Sequence, residues 1–357
     1  MSPTHGASSV NRLVSIQLLR AVAALGVVMS HVELYYSEPQ LYPVLTKGAG
    51  GVDLFFVISG FIMVYTSERL YGRLDAPRTF LQRRIVRVVP LYWMVTTAYL
   101  AGALLVPGAD KEHSALFVIT SYLFIPFRRA DASLQPLVGQ GWTLNYEMQF
   151  YAIFAAAVWL RRYAAIMAAC WVVLILVIVG EWMHLPAERT LLLFWTSPIL
   201  LEFVFGCMIG MAVLYGMRLP AVLGWAMIVL GAWLFMRSDI SVPGQYVFGR
   251  AAAWGVPVAM IVAGAVWGGV RLPGVLSRPL EAVGDGSYVL YLVHPPVIHA
   301  VILAWRRSGV PIAFWPCMAV SCLVCALVAV ALHRWLERPL TDWLRRRWLP
   351  EAHASAS

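Results

Sequence analysis

Long apolar runs recur along this chain, and they constrain its fold more than any other feature. A helix that crosses a membrane needs about 20 mostly apolar residues. On that criterion the sequence predicts about ten spans, at approximately 13–34, 50–67, 88–106, 141–160, 163–182, 194–215, 219–236, 249–267, 285–304 and 314–334. Charged residues make up only 13% of the chain, against about 25% in a typical soluble domain. The sequence therefore predicts an all-α, polytopic membrane helix bundle.

Arginines between the predicted spans indicate how the bundle is oriented. Many of them stand between the second and third spans and after the last one: Arg69, Arg73, Arg78, Arg83, Arg84, Arg87, Arg338, Arg345, Arg346 and Arg347. Loops rich in Lys and Arg stay on the cytoplasmic side, which places both termini there, although Arg306 and Arg307 then face outward. We expect a cytoplasmic N-terminal head at 1–12, one transmembrane domain at 13–340, and a basic cytoplasmic tail at 341–357.

The net charge and the cysteines do not point to nucleic acid or to metal. The formal net charge is +9, but the basic residues lie in short loops and the tail, as in a protein whose partner is the lipid bilayer. The five cysteines all fall within apolar runs. Cys322 and Cys325 form a C-x-x-C without a neighbouring His or Asp, so we expect buried packing and no metal site.

One arginine and one histidine interrupt the apolar run LLRAVAALGVVMSHVEL at 18–34. Arg20 and His31 are eleven residues apart, which on a helix places them within about 20° of one face and about 16 Å apart along the axis. Ionisable groups inside a membrane are costly and mark pathways or reaction centres, and histidine titrates near neutrality, as a general base must. The alternative is structural: His31 hydrogen-bonds a neighbouring helix, and Arg20 extends to the inner headgroups.

Two carboxylates are expected at a similar depth. Asp53, in GVDLFFVISGF, lies at the outer end of the second span, and Glu147, in WTLNYEMQFY, lies near the outer end of the fourth. Either one could orient the ring of His31 and stabilise its imidazolium form. For Asp53 the alternative is an N-cap on a helix that begins at residue 54.

A third carboxylate, Glu202, lies inside the sixth span, where structural and functional roles are equally consistent with the sequence. In the same span, Gly206 and Gly210 form a G-x-x-x-G pattern. Small residues at this spacing allow two helices to approach closely.

A pair of arginines, Arg84 and Arg87, precedes the third predicted span in RRIVRVVPLYW. Three residues apart on a helix, they share a face at its cytoplasmic end. Guanidinium groups bind phosphate oxygens in a bidentate manner, so the pair predicts a phosphate-bearing ligand. The alternative is simple anchoring at the inner membrane surface.

The ninth span contains GDGSYVLYLVHPPV at 284–297. Tyr288, Tyr291 and His294 lie largely on one helical face, and Pro295 and Pro296 are expected to break or kink the helix just after His294. The pattern predicts that this face binds substrate. The alternative is that its aromatic residues belong to an aromatic belt at the membrane surface.

Together these stretches resemble the acyltransferase 3 family of bacterial integral-membrane O-acyltransferases, most closely its exopolysaccharide-modifying branch. The resemblance covers nearly all of 13–340 and rests on motifs in family order: Arg20 with His31, GVDLFFVISGF, the R-x-x-R of Arg84 and Arg87, WTLNYE, EFVFGCMIG, GSYVLYLVH, and the closing Glu337-Arg338-Pro339.

The resemblance implies that an acyl group, commonly acetyl, moves from cytoplasmic acyl-CoA to a sugar hydroxyl at the outer side of a bacterial inner membrane. Acetyl-CoA is then a co-substrate, with no permanently bound cofactor, and the acceptor is a polysaccharide or a lipid-linked oligosaccharide. The candidate residues are His31, Asp53, Glu147 and Arg20 for catalysis, Arg84 and Arg87 for acyl-CoA, and Trp142, Tyr288, Tyr291 and His294 for the acceptor. Whether His31 carries the acyl group or only removes a proton stays open. The alternative function is a transporter or flippase of acyl or glycan intermediates without bond chemistry.

Overall fold

The computed structural model describes residues 3–35, 47–105, 114–129, 133–186, 188–238, 248–269, 272–310 and 313–349. The first two residues of the expected head and residues 350–357 of the expected tail lie outside this range. The described part contains helices and turns but no strand. Its principal α-helices are α1 (Pro3–Tyr35), α2 (Gly51–Thr66), α3 (Ala76–Leu105), α4 (Ala115–Tyr122), α5 (Trp142–Ala157), α6 (Arg162–Met183), α7 (Thr190–Trp195), α8 (Leu201–Leu214), α9 (Ala221–Arg237), α10 (Val256–Trp267), α11 (Gly274–Asp285), α12 (Ser287–Arg307), α13 (Phe314–Leu332) and α14 (Arg338–Trp348).

The all-α prediction is confirmed, and each of the predicted spans contains a helix. Eight helical segments of the described chain are long and apolar enough to cross a membrane. The spans predicted at 141–160 and 219–236 correspond to α5 and α9, which are shorter, with 16 and 17 residues. At about 1.5 Å per residue each is somewhat shorter than the roughly 30 Å of a bilayer's hydrocarbon core.

The chain divides into two compact units. Unit 1 comprises Met1–Tyr65 with Leu201–Trp335, and unit 2 comprises Thr66–Leu200 with Leu336–Ser357. Unit 1 therefore contains α1, α2 and the helices from α8 to α13. Unit 2 contains the helices from α3 to α7 together with α14.

Within unit 1, α2 and α8 approach each other at glycines. A Cβ atom placed on Gly206 would overlap the carbonyl oxygen of Val57, and one on Gly60 would overlap that of Phe203. Gly210 lies against Val64 in the same way, with only 3.0 Å available to a Cβ atom. The close helix approach predicted from the G-x-x-x-G pattern is confirmed.

This contact gives a stability prediction. Gly206→Ala is expected to destabilise the protein by about 1–3 kcal/mol, because the added methyl group forces the two backbones apart. The measurement is thermal unfolding of the purified protein in detergent. The matched control is Gly102→Ala in α3, where a Cβ atom has no neighbour within 4 Å. That variant is expected to be neutral or slightly stabilising, and an equal loss in both would contradict the packing argument.

The helix that carries the ninth-span motif does not end at its prolines. α12 continues from Ser287 to Arg307 with Pro295 and Pro296 inside it, so a break after His294 is wrong, while a kink there stays a prediction. Pro295 lacks the N–H group that would bond the carbonyl of Tyr291. The imidazole of His294 lies 2.9 Å from that carbonyl oxygen and supplies a donor in its place.

Candidate active site

The first candidate group lies on α1, in unit 1. Arg20 and His31 lie on this single unbroken helix, about 16 Å apart along its axis. Nδ1 of His31 is 2.9 Å from the carbonyl oxygen of Val27 and 3.5 Å from Oγ of Ser30. Because a carbonyl oxygen can only accept, we assign the ring proton to Nδ1. The neutral ring then has a lone pair at Nε2, which is the form of histidine that acts as a base.

A second histidine packs against the first. The ring centroids of His31 and His294 are 4.7 Å apart, with an angle of 79° between the ring planes. His294 is fully buried, and its Nδ1 lies 2.9 Å from the carbonyl oxygen of Tyr291 and 3.2 Å from that of Leu290. The ring of Tyr291 in turn packs edge-on against Phe55, at 5.9 Å between centroids. The structure thus brings His31, His294 and Tyr291 together.

Arg20, near the middle of α1, is linked through Gln17 to the junction between α11 and α12 in the same unit. Arg20 donates to Oε1 of Gln17 at 3.4 Å, and Gln17 donates to Oδ1 of Asp285 at 2.5 Å. Asp285 is the last residue of α11, and the half-buried Tyr288 lies in the first turn of α12. Gly284 allows this junction, since a Cβ atom there would overlap the backbone of Gln17.

Asp53 has a different partner from the one predicted. Its carboxylate accepts two hydrogen bonds from the guanidinium of Arg250, at 3.0 and 2.7 Å, and it is fully buried. Asp53 therefore does not orient the ring of His31 in this structure. The N-cap alternative is also wrong, because α2 begins at Gly51 and Asp53 lies inside its first turn. Sequence reasoning missed Arg250; the available signal was a single arginine at the start of an apolar run.

The ion pair is part of a larger buried group. Arg250 lies over the ring of Trp254, 4.6 Å from its centroid, and precedes the π-helical turn Ala251–Gly255. Glu202 is fully buried and acts electrostatically on both Asp53 and Arg250. Neither oxygen of Glu202 receives a hydrogen bond from a described N–H group. Two carboxyl groups thus lie near one guanidinium, and only Asp53 is directly paired with it.

The second candidate group lies in unit 2, around Arg84. Its guanidinium donates to Oγ1 of Thr66 at 2.8 Å and lies 5.3 and 5.8 Å from the ring centroids of Phe80 and Tyr151. Arg87 is close enough to act on the charge of Arg84. Among the described residues, Arg87 makes no salt bridge. Two adjacent like charges repel each other, so an anion bound between them would be favourable.

Glu147 lies in this same group. It accepts a short hydrogen bond from the hydroxyl of Tyr151, and its charge acts on Arg84. The sequence predicts Glu147 toward the outer side of the membrane and the arginine pair at the cytoplasmic end. This separation is wrong, because Glu147 lies close enough to Arg84 to act on its charge. α3 begins at Ala76, eight residues before Arg84 and well before the predicted start at 88. Arg84 and Arg87 therefore lie about two and three turns inside the helix.

Trp142, the remaining candidate, is the first residue of α5 and packs edge-on against Tyr146, with 6.0 Å between the ring centroids. Tyr146 is stacked in turn on Phe194, at 3.7 Å between centroids. These two aromatic contacts pack the start of α5 against the end of α7 within unit 2. Trp142 is five residues before Glu147 on α5.

Comparison with known protein families decides the class of this protein. The acyltransferase 3 family model, described as an acyltransferase domain, matches residues 13–332. The chain belongs to this family. It is therefore a membrane acyltransferase, and the interpretation as a transporter without bond chemistry is not supported. No solved structure matches the chain.

Matches to curated relatives cover most of the chain. The exopolysaccharide production protein ExoZ of Rhizobium meliloti is 34% identical, over 83% of this chain and 90% of that protein. Acyltransferase MdmB of Streptomyces mycarofaciens is 26% identical, over 94% of this chain and 93% of its own. O-acetyltransferase OatA of Staphylococcus aureus is 24% identical over 90% of this chain, but the match covers only 56% of OatA.

Proposed function

We propose that this protein transfers an acyl group, acetyl in the simplest case, from acyl-CoA to a hydroxyl of a surface polysaccharide or its lipid-linked precursor. The observation that carries the proposal is the contact of His31 Nδ1 with the Val27 carbonyl on an apolar helix, which leaves Nε2 of the neutral ring as the basic nitrogen. The name of ExoZ supports a polysaccharide acceptor, and that of OatA supports transfer of an acetyl group to oxygen. The arginine distribution supports cytoplasmic termini. The family resemblance supports a bacterial inner membrane with acyl-CoA on its cytoplasmic side.

The reaction balances without a cofactor. Nε2 of His31 takes the proton of the acceptor hydroxyl, and the oxygen attacks the thioester carbonyl. The C–S bond then breaks, the CoA thiolate leaves, and His31 returns the proton to its sulfur. A positioned base of this kind contributes about 10²–10⁴ in rate. The hydroxyl of Tyr288 is our candidate donor to the oxyanion.

Acyl-CoA carries several phosphates, which suit the arginine pair. A guanidinium has five N–H donors, so Arg84 retains donors after bonding Thr66. We assign Arg84 and Arg87 to the CoA phosphates. Tyr151 donates a hydrogen bond to Glu147 beside the two arginines. The Glu147 carboxylate then offsets part of the positive charge of Arg84 and Arg87 when no ligand is bound. Trp142 and Tyr291 are assigned to the acceptor.

Substitution of Arg84 tests the donor assignment. Arg84→Ala is expected to raise the KM for acetyl-CoA roughly 10- to 100-fold, because a charge-assisted hydrogen bond to phosphate is lost, and to change the KM for the acceptor little. Arg84→Lys keeps the charge but loses the planar fork, so an intermediate effect is expected. Steady-state kinetics with both substrates varied gives these values.

The matched control is Arg83→Ala, one residue away on the same helix and exposed to solvent. It is expected to leave the KM for acetyl-CoA within about twofold of wild type. Equal effects of Arg83→Ala and Arg84→Ala on the KM for acetyl-CoA would indicate that the arginines only anchor the helix at the membrane surface.

A further inference from the structure

Pro295 determines which nitrogen of His294 carries the ring proton. In a helix, the carbonyl of Tyr291 would normally accept from the backbone N–H four residues later, but that residue is Pro295 and has none. Nδ1 of His294 lies 2.9 Å from this carbonyl oxygen. Buried carbonyl groups are almost always paired, so Nδ1–H of His294 replaces the missing backbone donor.

This leaves Nε2 of His294 as a bare acceptor. The residue is fully buried, and Nε2 has no hydrogen-bond partner among the described residues. An acceptor that is buried without a donor is unfavourable unless a ligand supplies one. The neighbouring ring cannot do so while it is neutral, because His31 also has its proton on Nδ1, bonded to Val27.

Two bare nitrogens thus belong to two rings whose centroids are 4.7 Å apart. One of them, on His31, is the proposed base for the reacting hydroxyl. The other needs a second donor that arrives with the substrate. A sugar provides several hydroxyl groups on one ring, so it can satisfy both nitrogens together.

We propose that His294 is a specificity-determining residue that selects a polyhydroxylated acceptor. Its Nε2 accepts a hydrogen bond from a second hydroxyl of the same sugar unit whose first hydroxyl is deprotonated by His31. Pro295 is the positioning residue that fixes the required tautomer. This proposal rests on the proposed acyl transfer and adds to it the residue that recognises a second hydroxyl of the acceptor.

The tautomer is tested without any activity measurement. In protein labelled with ¹⁵N-histidine and purified in detergent, ¹⁵N NMR is expected to show His294 with Nδ1 protonated and Nε2 bare, assigned by loss of the signal in His294→Asn. Pro295→Ala restores a backbone N–H that competes for the Tyr291 carbonyl, so the Nε2-protonated form of His294 is expected to increase. A wild-type His294 protonated at Nε2 would overturn the proposal.

The role in specificity is tested with methyl glycosides of glucose, galactose and mannose, followed by the monodeoxy derivatives of the best acceptor. In wild type, removal of one particular hydroxyl other than the acylated one is expected to lower kcat/KM roughly 10- to 100-fold. His294→Asn keeps a donor near Nδ1 but no acceptor at Nε2, so it is expected to abolish this penalty. His294→Gln places an amide near the position of Nε2 and is expected to retain part of it.

Each outcome bears on a separate claim. If the penalty for every deoxy derivative is the same in wild type and His294→Asn, the assignment of His294 is wrong. The control is His299→Asn, because His299 is exposed on the same helix. This variant is expected to show the same penalties for the deoxy derivatives as wild type. Failure of the wild type to acylate any glycoside would count against the proposed function, whereas the NMR result would still decide the tautomer.

Discussion

His31→Gln and His31→Ala are expected to reduce acyl transfer by about 10²–10⁴-fold, because each removes the imidazole proposed to take the acceptor proton. Glutamine is the more informative of the two, since its amide fills a similar volume and is not a base. The measurement is transfer of labelled acetyl in membranes, normalised to the amount of protein present. Binding of acetyl-CoA is expected to be retained, which separates loss of chemistry from loss of folding.

The control for this substitution is His299→Gln, another histidine on a membrane helix and exposed in the structure. It is expected to keep near-normal turnover. If His31→Gln also kept near-normal turnover, the assignment of the base would be wrong. A covalent acyl-histidine would appear as label retained on the wild-type protein before acceptor is added, and this would show that His31 carries the acyl group.

Asp53→Asn is expected to lower the free energy of unfolding by about 3–5 kcal/mol, because Arg250 would remain buried without its counter-charge. The pair is well shielded: the side chain of Asp53 has no exposed surface and that of Arg250 has only 12%. Unfolding by heat or denaturant in detergent micelles measures the effect. The expected loss is a large part of the total stability of a typical domain.

Two further variants test whether the stability lost in Asp53→Asn arises from the broken ion pair with Arg250. Asp53→Asn combined with Arg250→Gln removes both charges and is expected to be less destabilised than the sum of the single variants. Glu202→Gln changes a neighbouring carboxyl group of similar burial that no cation directly bonds, so its effect is expected to be smaller. If Glu202→Gln were as damaging as Asp53→Asn, the ion pair with Arg250 would not be the cause.

Sequence alone predicted most of the helices, because a span of apolar residues has few other ways to satisfy its backbone. It also predicted the shared helix of Arg20 and His31 and the close contact at Gly206, both of which depend on local spacing. The partner of Asp53 was not predictable in this way. Arg250 is 197 residues away along the chain, and periodicity carries no information about which helices become neighbours.

The two remaining differences also have physical reasons. The helix through Pro295 continues because a side chain, His294, replaces the missing backbone donor, and proline rules consider only the backbone. Glu147 was placed from the ends of its predicted span, but α3 starts twelve residues earlier than the predicted 88, at Ala76. The earlier start places Arg84 and Arg87 inside the helix and not before it, which hydropathy alone does not show.

The most direct test of the central claim is an assay of purified protein in lipid vesicles, supplied with acetyl-CoA labelled in the acetyl group and with a sugar acceptor. The account predicts base-labile label on the sugar and one free CoA thiol released for each ester formed, with both products lost in His31→Gln. Sugar that crosses the vesicle membrane unmodified while acetyl-CoA stays intact would contradict it.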